Sequence, residues 1–426
     1  MSQLPPTRRQ VLRWGLLGAA GAATSGALAG CGLGSSDDIR FLQNKPEVIP
    51  YFDKLTAQFN GSQRGVRASH DPTTTPLTPQ FVRGTPPDLA CYNYQLEAAS
   101  FLARGALSDL SDLPEAKTIA PSVQALVGQF ASYKGQTSVL PYSVASAGVI
   151  YNKDLFAKHD VAVPTTWSEL IAACKKFQAA GVTPIYFTFL DGWTLLQGVW
   201  DYVSGGTLDV AAFFRRLKQE EGKVDQNSPA SFTRNFGDAC HKMVELYRYR
   251  NANAPSLTYN AGNTEFAKGK AAMYLQGPWA LTPLGTANPK LQLGSFPLPC
   301  TDNPADTKVR VNLDLALWIP NDSSHKEQAR TMLQWLMRPE VMNAYNKQAL
   351  ATSPTVNAPA LTDPRVAGLS SYVKQAKFYQ GASTYISMTI PLGNYIQTML
   401  TSGDVNGLLN RLDTDWANRA ARSAAA

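Results

Sequence analysis

Reactive side chains are few in this chain, and their spacing limits what they could do. The four histidines, His70, His159, His241 and His325, include no pair at the helical spacing that ligates a metal. Cys91, Cys174, Cys240 and Cys300 form no C-x-x-C and no zinc-ligand pattern, so they read as free, buried thiols. If two of them pair, Cys174 and Cys240 are the better-placed couple. No G-x-S-x-G nucleophile turn occurs. Lys268-Gly269-Lys270-Ala271 comes nearest to a phosphate loop, but it lacks both the upstream glycine and the Ser/Thr after the lysine. The Gly32-x-Gly34 pair follows no strand pattern. The 32 acidic residues offer many carboxylate pairs, but the separation that would make a glycosidase of one is spatial, not sequential. The reading is of a protein without a catalytic role, metal or cofactor.

One covalent chemistry is legible, at the N-terminus. Thr7-Arg8-Arg9-Gln10-Val11-Leu12-Arg13 precedes a Gly-interrupted apolar stretch from Trp14 to Ala29, too short for a comfortable membrane span. The stretch ends in Leu28-Ala29-Gly30-Cys31. A basic segment, a short apolar segment and small residues before a cut site make residues 1–30 a secretory signal. Arg8-Arg9 resembles a Tat signal, and Leu-Ala-Gly-Cys resembles the bacterial lipobox, in which the cysteine is diacylated and becomes the first mature residue. Residues 31–38 then read as a flexible tether. The expectation is export, with Cys31 anchoring the protein by lipid to the outer face of the cell membrane.

Composition narrows the rest. Of 426 residues, 17% are charged, against roughly 25% in average soluble domains, and 44% are apolar, so long disorder, coiled coil and collagen fit poorly. The formal charge of +7 raises the question of nucleic acid. However, Lys and Arg form no run of five or more, and removing residues 1–30 takes away Arg8, Arg9, Arg13 and no acid. That leaves 36 basic against 32 acidic residues, or +4, and no nucleic-acid partner is expected.

The elements that must position any site follow from periodicity. Ile39–Gln43 reads as a strand, and Val48, Tyr51, Phe52, Leu55 and Phe59 recur at helical spacing after it. Asp88–Tyr92 reads as a strand running through Asn93 into a helix over Leu96–Arg104, and Val149–Tyr151 as a short strand. Thr166 with Glu169 three residues on predicts a capping box. Ala271–Leu275 and Leu313–Ile319 are buried-strand patterns, and His325–Met337 is a helix with a broad apolar face. Ala349–Pro364 is a connector. Strands alternating with helices argue for α/β lobes, and no period of 20 to 50 residues suggests a solenoid.

Particular blocks carry a family resemblance. Gly148–Phe156, Val163–Leu170 and Ala180–Ile185 resemble the central signature of the carbohydrate-binding class of extracellular solute-binding proteins of bacterial ABC importers. Phe266–Trp279 is similar to that family's F-x-x-G-K-A-A-M-x-x-x-G-x-W block, Ile319–Ala329 to its loop and Ala-rich helix, and Thr401–Asp404 with Leu412–Trp416 to its C-terminal helices. The resemblance implies two α/β lobes of the type II periplasmic-binding-protein-like fold, joined by hinge crossovers, with the ligand in the interlobe cleft. Lobe one is expected at 38–143 plus 312–350 and lobe two at 144–311 plus 351–426. It implies a monomeric receptor that binds a di- or oligosaccharide and delivers it to ABC permease subunits. A receptor for a glycerophosphodiester or other polar solute, or a secreted carbohydrate-active enzyme, are the alternatives.

A sugar presents hydroxyls at its edge and apolar C–H faces, so its site needs amides or carboxylates and aromatic rings. Gln43, Asn44 and Glu47 follow the first strand, and Tyr92 and Asn93 end another; turn and capping chemistry accounts for the amides equally well. The resemblance places Trp279, after Gly277, as the cleft tryptophan that stacks on a sugar ring. Trp193 is a second stacking candidate, with Trp200 and Tyr202 as alternatives. Asn312 and Asp314 lie near the second crossover and suit either hydroxyls or a hinge hydrogen bond. Trp167, Trp335 and Trp416 read as core, and Tyr151 and Asn152 as structural.

Overall fold

The computed structural model describes residues 38–220 and 223–424; the expected signal over residues 1–30, Cys31 and the expected tether up to residue 37 lie outside the described residues. From Ile39 on, the described chain is one compact unit. Among the described residues, ten strands form two sheets. The first is built on Asp38–Leu42 (β1), Arg67–Asp71 (β2), Leu89–Tyr92 (β3), Leu140–Ala147 (β4), Val309–Trp318 (β9) and Phe378–Gln380 (β10). Its order is β10-β9-β3-β1-β2, with β4 on the other edge of β9. Val149–Asn152 (β5), Thr183–Tyr186 (β6), Ala271–Tyr274 (β7) and Leu293–Phe296 (β8) form the second, in the order β6-β7-β5-β8.

Local sequence explains the elements. Ile39 and Phe41 alternate into the core, where the Phe41 ring lies 6.0 Å from Phe52. Phe52 belongs to the helix Ile49–Ser62, which also buries Leu55 and Phe59 at three- and four-residue steps. Thr166 and Glu169 close the expected capping box of the helix Trp167–Ala179. The helix Lys326–Leu336 buries Ala329, Met332, Leu333, Trp335 and Leu336, and the helix Pro339–Gln348 follows it. Trp416 is buried beside Phe214 and Phe232, whereas Trp167 is half-buried under the Lys242 ammonium. Asn152 caps the next helix by accepting from the Asp154 and Leu155 amides. The four described cysteines are free and buried.

The join between the sheets positions the site. β4 and β9 form a long antiparallel ribbon, paired from Leu140↔Leu317 to Ala147↔Arg310, with register shifts around Ser143. β4 leads through Gly148 straight into β5 of the second sheet, and β9 returns after β8. The expected lobe boundaries at 143/144 and 311/312 therefore fall inside this ribbon. Along one edge of β9, Ala316–Trp318 pairs with β3 and Val309–Val311 with β10. Phe378–Gln380, reached from the chain expected in lobe two, thus extends the first sheet. Both faces of the second sheet are covered: Val149 and Met273 pack into the larger apolar cluster, Ile150 and Tyr274 into a smaller one with Phe266, Leu281 and Leu284.

Candidate ligand cleft

Most of the candidate residues leave the carboxyl ends of parallel strand pairs, where open α/β sheets bind ligands. β1 and β3 are parallel, and so are β6 and β7. Gln43, Asn44, Lys45 and Glu47 follow β1; Tyr92 ends β3 and Asn93 follows it. Asp191 and Trp193 come after β6, and Gln276, Gly277 and Trp279 after β7. Asn312 and Asp314 lie on β9 itself.

On the first-sheet side, an ion triad stands at the centre. The Lys45 Nζ donates to both Asp314 carboxylate oxygens, at 2.8 and 2.7 Å, and lies 3.4 Å from Glu47 Oε1. Burial alone would lower the lysine pKa, but the charges of Asp314 and Glu47 and their hydrogen bonds outweigh it and hold the ammonium above its usual value. Asp314 is nearly covered, whereas Glu47 is half exposed. Asp314 therefore serves the lysine first, and Glu47 keeps an open face. Asn44 donates to the Thr73 carbonyl at 2.8 Å and sits beside the Tyr92 phenol. Gln43 is 1% exposed, and neither amide atom has a partner among the described residues. Tyr92 and Asn93 are half-buried.

Aromatic rings line the second-sheet side. Trp193 is 38% exposed and meets Tyr259 edge-on, with ring centroids 4.8 Å apart and planes at 60°. Asp191 Oδ2 accepts from the Tyr259 amide at 2.6 Å, which fixes the start of the helix Tyr259–Phe266 beside the tryptophan. Trp200 and Tyr202 are fully buried, Trp200 stacked on Phe236, so they belong to the core and Trp193 is the ring that faces out. Burial, with a smaller contribution from the Glu47 charge, pushes the Tyr259 phenol up to about 12.

Trp279, which follows β7 of the second sheet, is held from several directions, one of them Arg310 on β9 of the first. Its Nε1 donates to Gln276 Oε1 at 3.1 Å, and the Arg310 guanidinium lies over its ring at 5.8 Å. Gly277 leaves room for it: a Cβ there would come within 2.2 Å of the indole. Arg310 is itself fixed by Asp201, with Nε 3.1 Å and Nη2 3.0 Å from Oδ2, and its Nη1 donates to Asn312 Oδ1 at 3.0 Å. Ser383 completes the Asp201 shell with its backbone amide at 2.8 Å and hydroxyl at 2.9 Å. Burial raises the Asp201 pKa, and Arg310 and Ser383 offset part of that rise. Asn312 thus accepts a side-chain hydrogen bond on the ribbon that leads from one sheet to the other.

The structure therefore gathers the candidates into three groups: Asn44 with Tyr92; Glu47 with Asp314; and Gly277, Trp279 and Asn312. Trp193 stands with Tyr259, while Gln43 and Asn93 show no side-chain partner in the described residues. Sequence reading missed Lys45, Tyr259, Gln276, Arg310 and Asp201. Lys45 and Gln276 lie within segments already singled out, so proximity could have flagged them; Asp201 and Arg310 give no local sign of pairing. Among the described residues no three His, Cys, Asp or Glu side chains group to hold a metal, and no helix is long and apolar enough to cross a membrane.

Known proteins resemble this arrangement. An uncharacterized ABC transporter extracellular-binding protein of Pyrococcus horikoshii is 24% identical over 383 residues, 83% of this chain and 81% of its own. The multiple sugar-binding protein of Streptococcus mutans is 26% identical over 215 residues, 48% of each chain. RafE from Streptococcus pneumoniae in its apo form, and RafE in complex with raffinose, each superpose with a TM-score of 0.75 at 21% identity. They cover 91% and 90% of this chain and 99% of their own, and the fold is the two-lobed α/β fold of periplasmic binding proteins. The profile described as Bacterial extracellular solute-binding protein matches residues 52–343, most of the described chain. The chain belongs to the family of bacterial extracellular solute-binding proteins.

Proposed function

We propose that this protein is a lipid-anchored sugar receptor of an ABC importer. It holds a di- or oligosaccharide between two lobes, 38–143 with 312–350 and 144–311 with 351–426, closes on it about the β4/β9 ribbon, and delivers it to the membrane permease. The observation that carries this reading is the pairing of unlike walls. Trp193, Tyr259 and Trp279 offer rings to C–H faces, while Gln43, Lys45 and Glu47 offer donors and acceptors to hydroxyls. The partnerless buried amide of Gln43 is costly unless a solute hydroxyl pairs with it. RafE holds raffinose, and the Streptococcus mutans relative is named for multiple sugars, which supports the class of ligand.

The Tat-type signal over residues 1–30 and acylation of Cys31 place the monomeric receptor on the outer face of the cell membrane, tethered by residues 31–38. Binding leaves the sugar chemically unchanged, as a receptor requires and a carbohydrate-active enzyme does not. Against a glycerophosphodiester stands Arg310, whose charge Asp201 already takes up. Calorimetry against a panel of mono-, di- and oligosaccharides should find at least one ligand, recovered intact after incubation. A panel in which nothing binds, or a bound oligosaccharide recovered cleaved, would overturn the reading.

A further inference from the structure

We propose that a groove outside the cleft, between the helices Ile49–Ser62 and Pro339–Gln348, is a second carbohydrate subsite for the outer rings of an oligosaccharide. This rests on the sugar reading above. The groove encloses ≈460 Å³, within the roughly 300–1,000 Å³ typical of small-molecule sites. Glu47, Tyr51, Leu55 and Gln58 line one side at three- and four-residue steps, and Lys54 joins them. Gln348 and the small Ala344 line the other. Eleven residues of helical rise give about 16 Å of face, long enough for a chain of sugars rather than a single ring.

Its chemistry is that of a glycan site in miniature. Tyr51 is half-buried and edge-packed against Phe52 at 5.6 Å and Tyr345 at 5.5 Å, which fixes the ring while leaving part of it open. Lys54, Gln58 and Gln348 are exposed, and no side-chain hydrogen bond of theirs is seen within the described residues, so their polar atoms can serve hydroxyls. A partner helix would want a row of apolar anchors, whereas here Pro50, Tyr51 and Leu55 are interleaved with Glu47, Lys54, Gln58 and Gln348, the mix of apolar face and hydroxyl partners that a sugar needs. One lysine against one glutamate does not select an anion. Glu47 makes the groove continuous with the cleft, because the same carboxylate lies 3.4 Å from the Lys45 ammonium that holds Asp314. A saccharide anchored in the cleft can run past Glu47 onto Tyr51.

The test is chain length. Calorimetry of the protein with two graded series, sucrose through raffinose and stachyose to verbascose, and chitobiose through chitohexaose, should show affinity rising with added rings in the series it accepts. Tyr51→Ala and, independently, the exposed-site change Gln348→Ala should each lower the ratio of long-chain to disaccharide affinity by about fivefold or more. Gln348→Ala keeps the test valid if Tyr51→Ala folds poorly. Equal affinity along an accepted series, or an unchanged ratio in both variants, overturns the groove and leaves the sugar reading standing. Absence of binding to every sugar, in these series and in the wider panel, overturns both.

Discussion

The Trp279 indole is oriented by a hydrogen bond to Gln276, a guanidinium over its ring and a missing side chain at Gly277. So many fixed neighbours around a ring that remains half-buried suit a stacking surface better than core filler. Trp200 shows the contrast: it is 0% exposed and stacked on Phe236 with centroids 5.3 Å apart. Trp279→Ala is expected to weaken sugar binding more than tenfold, a loss above about 1.4 kcal/mol. Its melting temperature should change little, because the ring fills only part of a core. Titration and thermal unfolding of the same variant check both halves; a large fall in stability at unchanged affinity would return Trp279 to the core. Residue type does not separate the two tryptophans, so their different exposure was not legible from it.

At the scale of elements, the turn after β7 controls how Trp279 is presented. Gly277 has φ −99° and ψ −170°, a conformation open to any residue, so its glycine is there for space and not for backbone freedom. Gly277→Ala should push the indole aside, reducing sugar affinity nearly as much as Trp279→Ala, with an overpacking cost of about 1–3 kcal/mol. A variant with wild-type affinity and unaltered tryptophan fluorescence would show that the ring is not held by this turn. Other elements were plain from the sequence. The capping box at Thr166 and the apolar faces of Ile49–Ser62 and Lys326–Leu336 rest on i+3 and i+4 relations that any helix enforces. β10 was not, since three residues, Phe378–Gln380, make too short a pattern and owe their strand to β9 beside them.

Across the molecule, the Arg310–Asp201 pair ties the β4/β9 ribbon to the helix Asp201–Thr207 and to the Gly381–Ser383 segment. Gly381 permits the approach, since a Cβ there would land 2.0 Å from an Asp201 carboxylate oxygen. Both ionic side chains are essentially inaccessible, so removing one leaves the other charged and unpaired. Arg310→Met should destabilise the protein by about 3–5 kcal/mol, and the double change with Asp201→Leu should recover part of that loss. Chemical denaturation of the three proteins measures it; a cost below about 1 kcal/mol for Arg310→Met would mean that the ribbon is anchored by its strand pairing alone. The same ribbon belongs to the first sheet and runs directly into the second, so its anchorage bears on how the proposed lobes move.

Sequence alone determined the α/β class, the main strands and helices, and the short list of loops from which the proposed site is drawn. These are properties of neighbours along the chain, set by backbone periodicity, capping and motif spacing. Tertiary structure decided which of those loops meet and what their side chains do on meeting. Asp314, which suited either a hydroxyl or a structural hydrogen bond, holds Lys45, 269 positions away in sequence. Asn312, which suited either a hydroxyl or a hinge hydrogen bond, accepts from Arg310, which in turn binds Asp201 across 109 positions. Such pairings depend on the order of strands in a sheet, because charge and hydrogen-bond partners act through a few ångströms of space whatever the distance along the chain.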